Sequence, residues 1–280
     1  MIPAPFDYEV AESADHAVQL LGQYGEDAKL LAGGHSLLPL MKLRLANPSV
    51  LVDIGRLRDL SYVHDDGDHL AVGALTTHED VHFNDLLNQH CPLLSQTAGE
   101  VGDPQVRHRG TIGGSVAHAD PASDVPTVLL ALDAELVVQG PGGERRVPAS
   151  SFWTGIFESD LGDQDLLTEI RVPKVSGAGW SYQKFHPRAQ DWAIVGVAAL
   201  VDQGNGRPAR TAVALTNMGE VPLRARSVEQ ALSGGSDPAA AAEQVLDGTS
   251  PPNDALASAE YRRHLAKVLT RRAIEEARSR

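Results

Sequence analysis

The sequence contains a single cysteine, Cys91, among 280 residues. One thiol forms no internal disulfide and cannot supply the four thiolates of an ordinary iron–sulfur cluster; it suits a reducing, cytoplasmic setting. Long apolar runs are also missing, and none approaches the roughly 20 residues of a membrane-spanning helix. The opening Met1-Ile2-Pro3-Ala4-Pro5 has no basic stretch leading into an apolar one, so no secretory signal is expected. Basic side chains are the minority, 24 against 37 acidic ones, for a net charge of -13. Such a surface repels phosphate backbones and anionic lipid, which argues against nucleic acid or a peripheral membrane helix as partner. Several nucleotide and nucleophile motifs are absent. There is no G-x-G-x-x-G, since Gly177-Ala178-Gly179 lacks the third glycine, no G-x-x-x-x-G-K-[ST], and no G-x-S-x-G. Neither a dinucleotide-binding Rossmann site, nor a P-loop, nor a hydrolase elbow is supported.

What remains is a chain that is 42% hydrophobic, enough for a large packed core. Its periodicity alternates between helix and strand. Ser13 is placed to cap a helix over 14–24, followed by a buried strand over 29–32, a helix over 37–45 and a strand over 50–54. A second stretch predicts a strand at 69–72, a helix over 78–88 capped by Thr77, another over 92–101, and a loop over 102–112 carrying Arg107 and Arg109. A short helix at 126–131, strands at 135–139 and 166–172, and a hairpin turn at Pro141-Gly142-Gly143 complete it. A third stretch predicts strands at 182–185, 194–201 and 211–216, with turns at Gly204-Asn205-Gly206 and 217–220. Helices at 227–232 and 238–246 follow, and then a long helix over 257–278. Its Tyr261, Leu265, Val268, Leu269 and Ile274 form an apolar stripe that reads as core. These stretches divide the chain at 1–55, 56–176 and 177–280.

Two glycine pairs carry the chemistry. Ala32-Gly33-Gly34-His35-Ser36 sits between a strand and a helix. Adjacent glycines permit positive φ and close approach of a ligand, and successive N–H groups there can cradle an anion. Ser36 is placed to cap the helix or to meet a phosphate. Thr111-Ile112-Gly113-Gly114-Ser115 repeats the pattern, and two such turns converging would satisfy both groups of a diphosphate. Beyond it, Asp124 is a candidate acceptor for a ribose hydroxyl or a cap for the next helix, and Val116 and Ala117 are candidates to face an aromatic ring. His78-Glu79-Asp80-Val81-His82 formally matches the zinc-protease spacing. It has no identifiable third ligand, and it reads as the solvated first turn of a helix.

The combination of AGGHSLLPLMKLRLANPSVLVDI (32–54) with RGTIGGSVAHADPASDVPTVLLALDAELVV (109–138) resembles the flavin-binding medium subunits of the molybdenum hydroxylases, that of aerobic carbon monoxide dehydrogenase above all. The resemblance runs over essentially the whole chain, and its glycine motifs fall in the right order about 80 residues apart. It implies an α+β fold: a two-subdomain FAD-binding domain, like that of vanillyl-alcohol oxidase (PCMH-like), and then a C-terminal domain with a three-stranded antiparallel sheet and helices. It implies non-covalent FAD and an electron relay rather than catalytic side chains on this chain. Ala32, Gly33, Gly34, His35 and Ser36, with Thr111, Ile112, Gly113, Gly114 and Ser115, would wrap the pyrophosphate. Asp124 would hold a ribose or adenine-side hydroxyl, Leu161 would lie near the adenine, and Lys184 would reach the cofactor from the C-terminal part. Ala117 and the stretch Gln190-Asp191-Trp192 would lie near the isoalloxazine. The cysteine sets of [2Fe–2S] clusters and a molybdopterin domain are missing from this chain. They would sit on a small and a large partner subunit, in a dimer of heterotrimers that passes electrons to an external acceptor, cytoplasmic or loosely membrane-associated through the complex.

Three other readings stay open on sequence alone. A self-contained flavin oxidase or reductase would turn over a substrate by itself. A non-redox nucleotide-binding module would be colourless. A zinc peptidase on His78 and His82 would lose hydrolysis to a chelator.

Overall fold

The computed structural model describes residues 2–202 and 210–280; the turn expected at Gly204-Asn205-Gly206 lies outside them. Among the described residues, three main sheets follow one another along the chain. The first is parallel, in the order β1 (Asp7–Val10), β3 (Val50–Asp53), β2 (Ala28–Leu31). Helix α1 (Ala14–Tyr24) covers it with Ala17, Val18, Leu20 and Leu21, and Ser13 caps it by accepting the His16 N–H at 3.0 Å. Helix α2 (Leu37–Lys42) leaves the C-terminal end of β2 through the first glycine pair. It stops short of the expected residue 45, because Arg44 turns to φ 58° and the Leu45 N–H closes back on the Leu40 carbonyl at 2.9 Å.

The second sheet is antiparallel, in the order β4 (Val63–Asp66), β5 (His69–Gly73), β10 (Leu166–Pro173), β6 (Glu135–Gly140), β7 (Gly143–Pro148). Helices α3 (His78–Phe83), α4 (Asp85–His90), α5 (Pro92–Gly99), α6 (Pro104–Arg107), α7 (Ile112–His118), α8 (Asp124–Leu132) and α9 (Ala149–Phe152) belong to this stretch, with a small ribbon of β8 (Trp153–Gly155) and β9 (Glu158–Ser159). Their core includes Leu93, Leu94, Ile112, Leu129, Leu132, Leu136 and Ile170, all fully buried. The helix expected over 78–88 is two helices. Asn84 takes an extended conformation and accepts the Leu87 N–H at 3.1 Å, starting α4 afresh. The loop expected over 102–112 holds α6, capped by Asp103. The second glycine pair is not a turn but the first turn of α7, because Thr111 caps it by accepting the Gly114 N–H at 3.1 Å.

The third sheet runs β11 (Gly179–Phe185), β12 (Val195–Asp202), β13 (Arg210–Thr216), β14 (Leu223–Arg224). The expected three antiparallel strands are there, and the two-residue β14 adds a fourth at the edge. Helices α10 (Arg226–Ser233), α11 (Pro238–Ala242) and the long α12 (Ala259–Ser279) pack on it. Leu265, Leu269 and Ile274 of the expected stripe are buried against Val195, Val197 and Val213, whereas Tyr261 is exposed and meets Phe185 edge-on.

Candidate functional site

A cavity of about 560 Å³ lies where elements of all three sheets meet. Every residue that the resemblance assigns to the cofactor lines it except Ile112, which is fully buried in the core below. From the first sheet come the end of β2 and Ala32–Ser36. From the second come Thr111, Gly113, Gly114, Ser115, Ala117, Asp124 and Leu161, and from the third Lys184, Gln190, Asp191 and Trp192. Trp192 is exposed at the mouth, and Asp191 accepts from Arg188 Nε at 3.0 Å. Val116 does not reach the cavity. It is buried, and its carbonyl accepts from the Trp153 indole at 3.1 Å.

The two glycine motifs do different work. The first is an opening. Gly34 sits at φ +78°, the left-handed region. Among the described residues, the N–H groups of Gly33, Gly34, His35 and Ser36 have no partner within the chain. Ser36 makes no capping bond to α2. Four successive free donors on a cavity wall form a cradle for anionic oxygens. The second motif is a support. Its donors from Ile112 to Ser115 are already used: Ile112 N–H bonds Thr76 O, Gly113 bonds Ala74 O, Gly114 bonds Thr111 Oγ1 and Ser115 bonds Thr111 O, at 2.9, 2.9, 3.1 and 3.1 Å. Its glycines permit contact instead. A Cβ on Gly113 would stand 2.5 Å from the Ala74 Cβ, so α7 packs directly on that backbone. The motifs touch through Gly33, whose Cβ would fall 2.1 Å from the Arg109 carbonyl oxygen.

Deeper in, Asp124 is placed by the third sheet. Lys184 Nζ donates to its Oδ2 at 2.7 Å and to the Glu100 carbonyl at 2.9 Å, and Tyr182 Oη donates to its Oδ1 at 2.6 Å. Asp124 and Lys184 side chains are only 6% and 3% exposed, so this is a buried pair across the domain junction. Burial raises the Asp124 carboxyl above its ordinary value, against the opposing charge and bond of Lys184 and the bond from Tyr182. Asp124 does not act as the helix cap; Ser123 holds that position in α8. Tyr182 was not singled out from the sequence, and its only signal there was its place two residues from Lys184 on one strand.

His78 and His118 also line the cavity, a place that the sequence did not suggest for either. His78 is buried, not solvated as expected of its helix turn, and burial, reinforced by Arg107, lowers its imidazole to about 4. Its metal spacing is not realised. His82 Nδ1 lies 2.9 Å from the Ser95 carbonyl, and no three His, Cys, Asp or Glu side chains among the described residues are grouped to share a metal ion. His118 stacks obliquely on Phe157, and burial lowers its imidazole too. Cys91, the one thiol, does not line the cavity; burial pushes it up to about 12.

The cavity therefore offers a run of backbone donors, a buried carboxylate with a cation beside it, and apolar walls. This suits a long ligand with a diphosphate at its waist and hydroxyls near one end. Comparison with known proteins decides what that ligand is. Residues 4–175 match the family of FAD binding domains in molybdopterin dehydrogenase, and residues 180–277 match the carbon monoxide dehydrogenase flavoprotein C-terminal domain.

The chain belongs to this flavoprotein family.

It is 38% identical over 282 residues to the carbon monoxide dehydrogenase medium chain of Hydrogenophaga pseudoflava, covering 99% of this chain and 98% of that one. It is also 38% identical over 283 residues to subunit alpha of the 6-hydroxypseudooxynicotine dehydrogenase complex of Paenarthrobacter nicotinovorans, covering 99% and 96%. A solved structure of the Hydrogenophaga pseudoflava carbon monoxide dehydrogenase superposes with a TM-score of 0.97 at 40% identity, over 100% of this chain and 99% of that one. The chain is thus an FAD-binding oxidoreductase subunit of the molybdenum hydroxylase family, and the expected fold class holds. No helix among the described residues is long and apolar enough to cross a membrane.

Proposed function

We propose that this chain relays electrons, through non-covalently bound FAD, from the [2Fe–2S] clusters of a small partner subunit to an external acceptor. Substrate is oxidised on a large molybdenum subunit, and the three chains form a dimer of heterotrimers. The single observation carrying this reading is the run of four free N–H groups from Gly33 to Ser36 on the cavity wall. When bound, flavin supplies what side chains lack: it accepts electrons one at a time and delivers one or two.

Every other task falls to this chain. Ala32–Ser36 hold the pyrophosphate, with Thr111, Ile112, Gly113, Gly114 and Ser115 as the wall that keeps the cradle open. Asp124 accepts from a ribose hydroxyl, Leu161 packs near the adenine, and Lys184 closes this end from the third sheet. Ala117, Asp191 and Trp192 border the ring system at the mouth, where partner and acceptor have access. No acid, base or nucleophile on this chain is required. The working boundaries are 1–55 and 56–176 for the cofactor domain and 177–280 for the C-terminal domain.

Carbon monoxide is the substrate we favour, supported by the medium chain and the structure of the Hydrogenophaga enzyme. An N-heterocycle is the second reading, supported by equal identity to the pyridine-type relative. Purification of the natural protein tests the whole proposal. The expected result is a flavin spectrum overlaid by iron–sulfur bands, two co-purifying chains, molybdenum, and acceptor reduction driven by carbon monoxide. Reduction by 6-hydroxypseudooxynicotine alone would move the substrate to the second reading. A lone yellow chain that oxidises a substrate unaided would overturn the relay.

A further inference from the structure

Strand β11 presents Tyr182 and Lys184 two residues apart on one face, and both side chains end on the Asp124 carboxylate of α8. The tyrosine is itself held from behind. With its own proton given to Asp124, its hydroxyl oxygen accepts from Thr216 Oγ1 on β13 at 3.2 Å, and Thr216 Oγ1 lies 2.8 Å from Thr127 Oγ1, one turn along α8 from Asp124. The polar path therefore leaves α8 at Asp124, crosses two strands of the third sheet and returns to α8. Gly196, on the strand between them, makes room for it. A Cβ there would stand 2.6 Å from Tyr182 Oη and 2.8 Å from Thr216 Oγ1.

A carboxylate accepts about four hydrogen bonds, two at each oxygen. Here each oxygen takes one bond from the third sheet, which fixes the carboxylate plane and leaves one lone pair on each for the cavity that Asp124 lines. The choice of donors matters for charge. Lys184 neutralises Asp124, and a second cation would leave net positive charge buried. The tyrosine hydroxyl adds a bond without adding charge.

We propose that Tyr182 is a positioning residue for the adenosine half of FAD, acting through Asp124 by holding its carboxylate in the plane that meets the ribose hydroxyls. This rests on the assignment of Asp124 to the ribose. The C-terminal domain then takes part in cofactor retention through a neutral hydroxyl as well as through Lys184.

The test uses the full chain stripped of flavin, titrated by calorimetry with FAD, with ADP as the adenosine half, and with FMN as the flavin half. Tyr182→Phe is expected to weaken FAD and ADP about tenfold, the scale of one lost bond to a charged group, and to leave FMN unchanged. Gly196→Ala is expected to do the same by displacing the hydroxyl without removing it, and it carries the test if Tyr182→Phe does not fold. Asp124→Asn, measured alongside, is expected to weaken FAD and ADP as well. Wild-type affinities in Tyr182→Phe, with Asp124→Asn weakened, would overturn the role of Tyr182 and leave the ribose assignment standing. An unaffected Asp124→Asn would overturn the assignment and the proposal together. Equal losses for ADP and FMN would mean general damage to the cavity, and the positioning role would fall.

Discussion

Replacing Gly33 by alanine tests whether the cradle depends on contact between its two walls. The added Cβ would lie 2.1 Å from the Arg109 carbonyl oxygen, 2.8 Å from its carbon and 2.9 Å from the Gly110 Cα. All three are backbone atoms, so no side chain can swing aside. Ordinary contacts of this kind lie near 3.5 Å, and the segments must part by about 1.4 Å. Overpacking of this sort costs roughly 1–3 kcal/mol of stability. The larger effect should be on the ligand, because the displaced segment carries the four free N–H groups. Each hydrogen bond to a charged oxygen is worth about 1.5–3 kcal/mol, and losing alignment of two would weaken FAD by at least 100-fold. The assay is fluorescence titration of the flavin-stripped chain, with circular dichroism to confirm folding. A folded Gly33→Ala chain binding FAD within threefold of the wild type would refute the assignment of this segment to the pyrophosphate.

Gly114→Val makes the contrasting case. Gly114 is exposed on the cavity side, and a Cβ there would meet only the Thr111 hydroxyl, at 2.8 Å. The chain should fold with a loss of about 1 kcal/mol from a strained cap, yet fail to retain FAD because the side chain projects into the ligand's path; a normal flavin-to-protein ratio after gel filtration would contradict this. His78 predicts a pH dependence. Its imidazole falls from 6.5 to about 4 on folding, so between these values the unfolded chain binds the extra proton. Stability is retained above pH 6.5 and lost as pH falls toward 4, on the order of 3 kcal/mol in full and about 2 kcal/mol by pH 5. His78→Gln should remove that share of the acid destabilisation, as read by urea unfolding at pH 7 and pH 5; identical pH differences in both chains would refute it.

Much of the scaffold was legible because its signals are local. Ser13 before an amphipathic run marked α1 to the residue, and the apolar strands at 135–140, 195–202 and 210–216 announced themselves by composition. The turn at Gly33-Gly34 was legible for the same reason, since paired glycines after a strand permit positive φ and a close backbone approach. Errors arose where the outcome depended on something distant or on a single side chain. Asn84 split a helix by capping the next one, and nothing in its neighbours forced that choice. Thr111-Ile112-Gly113-Gly114 read as an open turn. Whether its N–H groups are free depends on the carbonyls of Ala74 and Thr76, more than thirty residues upstream. His78 read as solvated because its sequence neighbours are polar, whereas Gly110 and the cavity wall cover it in space.

The different states of the two glycine motifs show how the cavity draws on the whole chain. A cradle of unpaired N–H groups is costly to hold open in a protein, since each donor left without a partner forgoes a bond. The first motif can remain open because Gly33 rests on the backbone at Arg109 and Gly110, and that backbone is held in turn by α7, whose first four donors are spent on Thr111, Ala74 and Thr76. The free donors and the rigid support are thus separated between two segments about 80 residues apart. The far end of the cavity repeats this division. Asp124 lines it, but Lys184 and Tyr182 of the third sheet fix its direction. On the proposed assignment ligand affinity is shared by all three sheets, and FAD, by satisfying the open donors, should stabilise their packing in proportion to the logarithm of its concentration over its dissociation constant.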